Sequence, residues 1–129
     1  MARVPIIKVG RVLIVTITEE LYDHDALVLQ EDLNSTLERT AAGGVLLDVS
    51  GVETVDSFLG RLLNEIAMGA RLLGAETVIS GIQPSVAVTL VELGLELRGV
   101  HTALNSEKGL ALLQRRMAQE RFRLRSANR

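Results

Sequence analysis

The sequence contains no cysteine and no tryptophan, and aromatic residues make up only 2% of its 129 residues. Without cysteine the chain can have no disulfide bond, no thiol nucleophile and no thiolate ligand for zinc. Because aromatic rings are so few, the interior has to be built from leucine, valine, isoleucine and alanine, within a hydrophobic content of 47%. A chain of this length fits one domain.

Long hydrophobic runs are also missing. The longest strongly apolar stretch in the first third is Val12-Leu13-Ile14-Val15, whereas a membrane-spanning helix needs about 20 apolar residues. The first residues show no apolar run followed by a cleavage site, so we predict no signal peptide. The absence of cysteine fits a reducing compartment. We therefore expect a soluble, cytoplasmic protein that does not interact with membranes.

Charge is unevenly distributed along the chain. Residues 115–129 carry six arginines and one glutamate, a net charge of +5, and residues 1–114 carry −7. An acidic body argues against a surface that binds nucleic acid. We predict one domain over residues 3–118, followed by an arginine-rich tail, 119–129, that is disordered or a frayed helix because no apolar stripe anchors it.

The pattern of apolar residues predicts the order β-β-α-β-α-β-α-β-α. Strands are predicted at residues 4–9, 11–18, 45–49, 77–80 and 100–104, and helices at 23–40, 57–73, 84–93 and from 105 or 106 onwards. A tight turn at Gly10-Arg11 makes the first two strands an antiparallel hairpin. The later strands alternate with helices, which predicts an α/β fold with a mixed, mostly parallel sheet of about five strands and four helices.

Helix boundaries and buried faces follow from caps and spacing. Asp23 is the predicted N-cap of the first helix, and Gly43-Gly44 is predicted to end it. In the second helix the predicted inner face consists of Leu59, Leu62, Leu63, Ile66, Ala70 and Leu73. The third helix is apolar around most of its circumference, so it is either buried on both sides or offers an apolar face to a partner.

Residue patterns for catalysis or metal binding are weak. His24 and His101 lie in no recognised ligand spacing, and no phosphate-binding or nucleophile motif is present. Asp48, Glu53 and Asp56 cluster after the third strand, at the edge where α/β proteins commonly place their sites. Loop solvation and helix capping account for them better than acid–base catalysis. We predict no catalytic residue, no metal and no cofactor.

A serine at the start of the second helix is the most informative residue. The stretch DVSGVETVDSFLG joins the third strand to that helix and places Ser57 at the helix start. Its hydroxyl either caps the helix or accepts a phosphate. A phosphate there would meet the positive end of the helix dipole and add about −1.5 to −2 charges beside Asp56.

Two sequence motifs resemble one family. DVSGVETVDSFLG and the later SGIQPSVAVTLVELGL resemble the STAS domain, named for sulphate transporters and anti-sigma factor antagonists, and within it the single-domain scaffold proteins of the bacterial stressosome. The resemblance implies a protein that is not an enzyme. It would build a large complex with STAS paralogues that carry a sensor domain, sequester a switch serine/threonine kinase, release it on phosphorylation, and be reset by a phosphatase.

The resemblance also assigns residues. It makes Ser57 the phosphorylated residue and implies a partner-binding surface formed by Asp56, Ser57, Phe58, Leu59, Gln83, Pro84 and Ser85. The commoner anti-sigma antagonist pattern, Asp-Ser-Ser/Thr-Gly-Leu, is replaced here by Asp56-Ser57-Phe58-Leu59-Gly60, which favours the stressosome branch. A free-standing anti-sigma factor antagonist, controlled through the same serine, is the alternative. A small-molecule-binding or hydrolytic protein using the clustered carboxylates is a third hypothesis.

Overall fold

The computed structural model describes residues 4–94, 97 and 99–127. Its elements are β1 (Ile6–Val9), β2 (Val12–Thr16), α1 (Asp23–Thr40), β3 (Gly44–Asp48), α2 (Ser57–Leu72), β4 (Glu76–Ser80), α3 (Pro84–Glu92), β5 (Val100–Ala103) and α4 (Ser106–Ala127). This order is the predicted one, and the predicted α/β fold is confirmed.

The five strands form one sheet in the order β1-β2-β3-β4-β5. β1 and β2 pair as the predicted antiparallel hairpin, with Ile6 opposite Val15. Each later strand is parallel to its predecessor, so that Thr16 lies beside Asp48 and Asp48 beside Ser80. The carboxyl ends of β2, β3 and β4 therefore meet at one edge of the sheet.

Two hydrophobic cores lie on opposite faces of the sheet. Successive side chains of a strand point to opposite faces, so Leu13 and Leu47 pack against α1, α2 and α3 in the larger core. Val12 and Leu46 point to the other face, where they pack with Leu113 of α4 in the smaller core. The helix layers leave the carboxyl edge of the sheet open to its loops.

The two glycines before β3 have a different role from the predicted one. α1 ends at Thr40, and Ala41, with φ of 52°, takes the left-handed position that a glycine was expected to fill. A Cβ at Gly43 would lie 2.8 Å from the sulfur of Met117, and one at Gly44 would lie 3.1 Å from Leu113. The glycines therefore allow α4 to pack closely against the sheet.

Two details of the helix predictions are wrong. Tyr22, not Asp23, is the N-cap of α1; the Tyr22 N–H donates to Asp25 Oδ2 at 3.2 Å, and Asp23 is the first helical residue. Leu73 was predicted to face inward but is 43% exposed. α2 ends at Leu72, so Leu73 no longer follows the helical spacing that would bury it.

The last two helices expose much of their surface. Val86 and Leu90 of α3 are buried, whereas Val88 and Val91 are exposed, so its apolar residues divide between core and surface. α4 continues to Ala127, and residues 118–127 are exposed and helical. The domain boundary at residue 118 stays a prediction. Among the described helices, none has the length and apolarity required to cross a membrane.

Candidate phosphorylation and partner-binding site

The site lies where strands β3 and β4 end. The Ile17 N–H donates to the Asp48 carbonyl at 2.9 Å, and the Val49 N–H donates to the Ser80 carbonyl at 3.0 Å. These bonds extend the parallel ladder past the last strand residues. The loop of residues 49–56, leading to α2, and the loop of residues 81–83, leading to α3, therefore leave the sheet side by side.

Ser57 is the first residue of α2 and is exposed. Asp56, not Ser57, caps the helix, because its Oδ1 accepts a hydrogen bond from the Leu59 N–H at 2.9 Å. Within the described part of the chain, the Ser57 hydroxyl makes no hydrogen bond. The capping role considered for Ser57 thus belongs to its neighbour, and the serine oxygen is accessible to solvent.

Glu19, which the sequence analysis did not identify, holds the middle of the loop. Its Oε1 accepts hydrogen bonds from the Glu53 N–H at 2.7 Å, the Thr54 N–H at 2.8 Å and the Thr54 hydroxyl at 3.2 Å. The backbone bonds from Thr54 and Glu53 stabilise the ionised carboxylate, so they lower the pKa of Glu19. No local sequence signal marks this residue, because the bonds join positions 34 and 35 residues apart.

Asp48 holds the start of the same loop. Its Oδ1 accepts from the Ser50 N–H at 2.9 Å, and its Oδ2 accepts from the Ser106 hydroxyl at 3.0 Å. Partial burial by itself would raise the pKa of Asp48, but the hydrogen bonds from Ser50 and Ser106 outweigh it and the pKa is lowered. Asp48 and Asp56 thus each have a structural partner, which supports loop structure and capping over acid–base catalysis.

The loop before α3 is joined to the loop before α2. The side-chain amide of Gln83 donates to the Ser50 carbonyl at 2.8 Å, and the Ser85 hydroxyl donates to the Glu53 carbonyl at 3.3 Å. Pro84 occupies the first turn of α3, as predicted, and is exposed. The structure therefore brings the two predicted groups of partner-binding residues onto neighbouring loops.

Phe58 lines two cavities. One has a volume of about 210 Å³ and is lined by Thr18, Glu19, Leu21, Thr54, Val55, Asp56, Phe58 and Leu59. The other has about 260 Å³ and is lined by Asp23, Ala26, Leu27, Gln30, Phe58, Arg61, Leu62 and Glu65. Phe58 is half-buried, whereas Leu59 is only 8% exposed and packs in the larger core. Phe58 is thus the side chain that the two cavities share.

The described residues contain no group of three or more His, Asp or Glu side chains placed to hold a metal ion. His24 lies at the start of α1, and His101 lies in β5. Neither histidine belongs to the surface around Ser57.

Comparison with known proteins identifies the family. The STAS domain family model matches residues 3–108. The RsbT co-antagonist protein RsbRD of Bacillus subtilis (strain 168) is 34% identical over 98 residues, which cover 76% of this chain and 35% of that protein. The RsbT co-antagonist protein RsbRA of the same organism is 32% identical over 82 residues, which cover 64% of this chain and 30% of that protein. The chain spans about a third of the length of these curated relatives.

Solved structures agree with this result. A serine-to-glutamate variant of RsbS from Moorella thermoacetica is 44% identical with a TM-score of 0.80, covering 91% of this chain and 99% of that one. A chain in a solved structure of the stressosome is 45% identical with a TM-score of 0.78, covering 86% of this chain and 96% of that one. The stressosome is described there as a signal integration and transduction hub. The resemblance seen in the two sequence motifs is confirmed, and the chain belongs to the STAS domain family.

Proposed function

We propose that this chain is a non-catalytic, cytoplasmic scaffold of a bacterial stressosome that sequesters a switch serine/threonine kinase and releases it when Ser57 is phosphorylated. The single observation that carries the proposal is the exposed Ser57 hydroxyl, which has no hydrogen bond in the described structure and lies beside Phe58 at the open edge of the sheet. The similarity to RsbS and to a chain of the stressosome supports the scaffold role.

The modification changes the surface without changing the fold. The kinase transfers the γ-phosphoryl group of ATP to Ser57 Oγ, which releases ADP and the hydroxyl proton. Asp56 continues to cap α2, and Glu19 continues to hold the loop. The result is about −1.5 to −2 charges added to a surface that stays in place.

The other partners follow from the relatives. RsbRD and RsbRA are named as co-antagonists of RsbT. By analogy, the protein that this chain antagonises is its switch kinase. Those relatives are about three times as long as the matched region. A sensor-domain STAS paralogue of that size would join this chain in a large hetero-oligomer, and a phosphatase would remove the phosphate.

The test is kinase binding by Ser57 variants. Ser57→Asp is expected to weaken binding of the co-encoded kinase, and Ser57→Ala is expected to keep the kinase bound in the presence of ATP. Ser35→Asp, which adds the same charge to an exposed position of α1, is the control and should bind like the unmodified chain. Equal binding by Ser57→Asp and the unmodified chain, or phosphosite mapping that finds Ser57 unmodified after incubation with kinase and ATP, would reject the proposal.

Light scattering separates the scaffold from a free-standing anti-sigma factor antagonist. A scaffold mixed with the sensor-domain paralogue should form a particle far larger than either protein alone. A mixture that scatters as the sum of two small proteins would favour the antagonist role.

A further inference from the structure

The surface around Ser57 is acidic. Glu19, Asp23, Glu53 and Asp56 all lie on the loops or first helical turns at this edge. A partner that bound this surface through positive charge alone would be attracted more strongly, not released, by an added phosphate. A cation near Ser57 that the partner uses, and that the phosphate can neutralise, would account for release on phosphorylation.

Arg61 is a cation in the required place. It follows Ser57 by four residues in α2, and residues at this spacing lie on the same helix face with their Cβ atoms roughly 5–6 Å apart. Arg61 is exposed and lines the 260 Å³ cavity beside Phe58. Across residues 4–94, 97 and 99–127, its guanidinium forms no ion pair or hydrogen bond.

Two acidic residues, Asp23 and Glu65, line the same cavity as Arg61, and neither forms an ion pair with it in the described structure. Glu65 is four residues further along the same helix, a spacing at which it could pair with Arg61. Instead, Glu65 Oε2 accepts a hydrogen bond from the Gln30 side-chain amide of α1 at 2.9 Å. The guanidinium of Arg61 is thus left available both to a partner and to a group on Ser57.

We infer that Arg61 is the residue through which phosphorylation acts, an inference that rests on the proposed function. In the unmodified chain Arg61 binds a carboxylate of the kinase next to Phe58. After modification the phosphoserine at position 57 pairs with Arg61 within the same helix, because a guanidinium binds a phosphate through two parallel hydrogen bonds. The kinase then loses its charged contact and faces a surface with added negative charge.

The pairing is tested without the kinase. Phosphoserine is incorporated at position 57 during translation in the otherwise unmodified chain, in Arg61→Gln and in the control Arg115→Gln, an exposed arginine of α4. Phosphorus NMR titration then gives the second pKa of the phosphate. Asp23, Asp56 and Glu65 are present in all three proteins, so their effect cancels.

Loss of a paired cation disfavours the dianion. Arg61→Gln is therefore expected to raise the phosphate pKa by about 0.3 unit relative to the other two proteins. Identical phosphate pKa values in all three proteins would overturn the pairing.

Kinase binding tests the other half of the inference. Arg61→Gln without phosphate is expected to weaken kinase binding about fivefold, the upper range for an exposed ion pair. Arg61→Lys should recover part of the loss, and Arg115→Gln should bind normally. Adding Ser57→Asp to Arg61→Gln should weaken binding less than it does in the unmodified chain, because coupled residues are not additive. Normal binding by Arg61→Gln would refute the partner contact.

The two proposals fail in different ways. Kinase binding that is unaffected by phosphoserine at position 57 would reject the proposed function, while the NMR comparison would still decide whether Arg61 pairs with the phosphate.

Discussion

The starts of α2 and α3 form a natural comparison. Each helix is joined by a loop to a parallel strand that ends at the same edge of the sheet, and both helices carry a serine in the first turn. The Ser85 hydroxyl donates to the Glu53 carbonyl. The Ser57 hydroxyl makes no hydrogen bond in the part of the chain that the structure describes, and Asp56 supplies the cap. A serine at a helix start is thus free for modification when a neighbouring residue makes the structural hydrogen bond.

The close approach of Gly81, before α3, to Ser50, before α2, should be the feature most sensitive to mutation. Gly81 has φ of +77°, and an added Cβ would lie 2.7 Å from the Ser50 Cβ, which is fixed directly to the backbone. Gly81→Ala therefore combines backbone strain with a steric clash, and we expect it to lower the free energy of unfolding by about 3 kcal/mol in urea denaturation.

Gly51→Ala is the matched control, because a Cβ at Gly51 would meet nothing within 4 Å. Equally small losses in the two variants would show that neither the positive φ of Gly81 nor its close approach to Ser50 restricts the residue at position 81.

Loss of the cap at the start of α2 should have the next largest effect on the free energy of unfolding. Asp56→Ala removes the acceptor for the Leu59 N–H, and loss of an N-cap costs about 1 kcal/mol in the free energy of unfolding. Asp56→Asn keeps an acceptor and should retain most of the stability. Asp23→Ala should cost less, since Tyr22 is the N-cap of α1. A loss for Asp56→Ala no larger than for Asp23→Ala, or an equal loss for Asp56→Asn and Asp56→Ala, would contradict the assignment of Asp56 as a cap.

Glu19→Gln should have the smallest effect on the free energy of unfolding at neutral pH. Its pKa is lowered in the folded protein, so its stabilising effect is present above the unfolded value of about 4.3 and is lost as pH falls through the folded value. Glu19→Gln should therefore flatten the loss of stability on acidification, measured as the urea midpoint from about pH 5 to about pH 3.

Asp48 has the same sign of shift, so part of the acid dependence should remain in Glu19→Gln. Glu20→Gln, at a neighbouring exposed position, should follow the unmodified chain. Parallel curves for Glu19→Gln and the unmodified chain would show that the Glu19 carboxylate does not stabilise the loop.

Local patterns in the sequence were sufficient for the order of elements and for the start of α2. Spacing of apolar residues depends on helix and strand periods, which act over a few residues. The same patterns gave the wrong N-cap residue for α1, the wrong role for Gly43 and Gly44, and the wrong burial for Leu73. The role of the glycines and the burial of Leu73 depend on where a helix stops and on what packs against it, so neighbouring residues do not specify them. The N-cap of α1 is a local feature, a hydrogen bond from the Tyr22 N–H to Asp25, and the choice between two adjacent residues was wrong by one position.

By itself the sequence determined the alternation of strands and helices and the position of Ser57 at a helix start, because periodicity and turn residues act locally. The cap of α2 is also local, since Asp56 accepts from the Leu59 N–H three residues later, although the sequence analysis considered Ser57 for that role. Only the tertiary structure decided that Glu19 holds the loop across 34 residues. It likewise decided that Gln30 donates to Glu65 and that Arg61 has no ion pair or hydrogen bond among the described residues. The reason is physical: these hydrogen bonds form only after strand register and helix packing bring distant donors and acceptors within about 3 Å of each other.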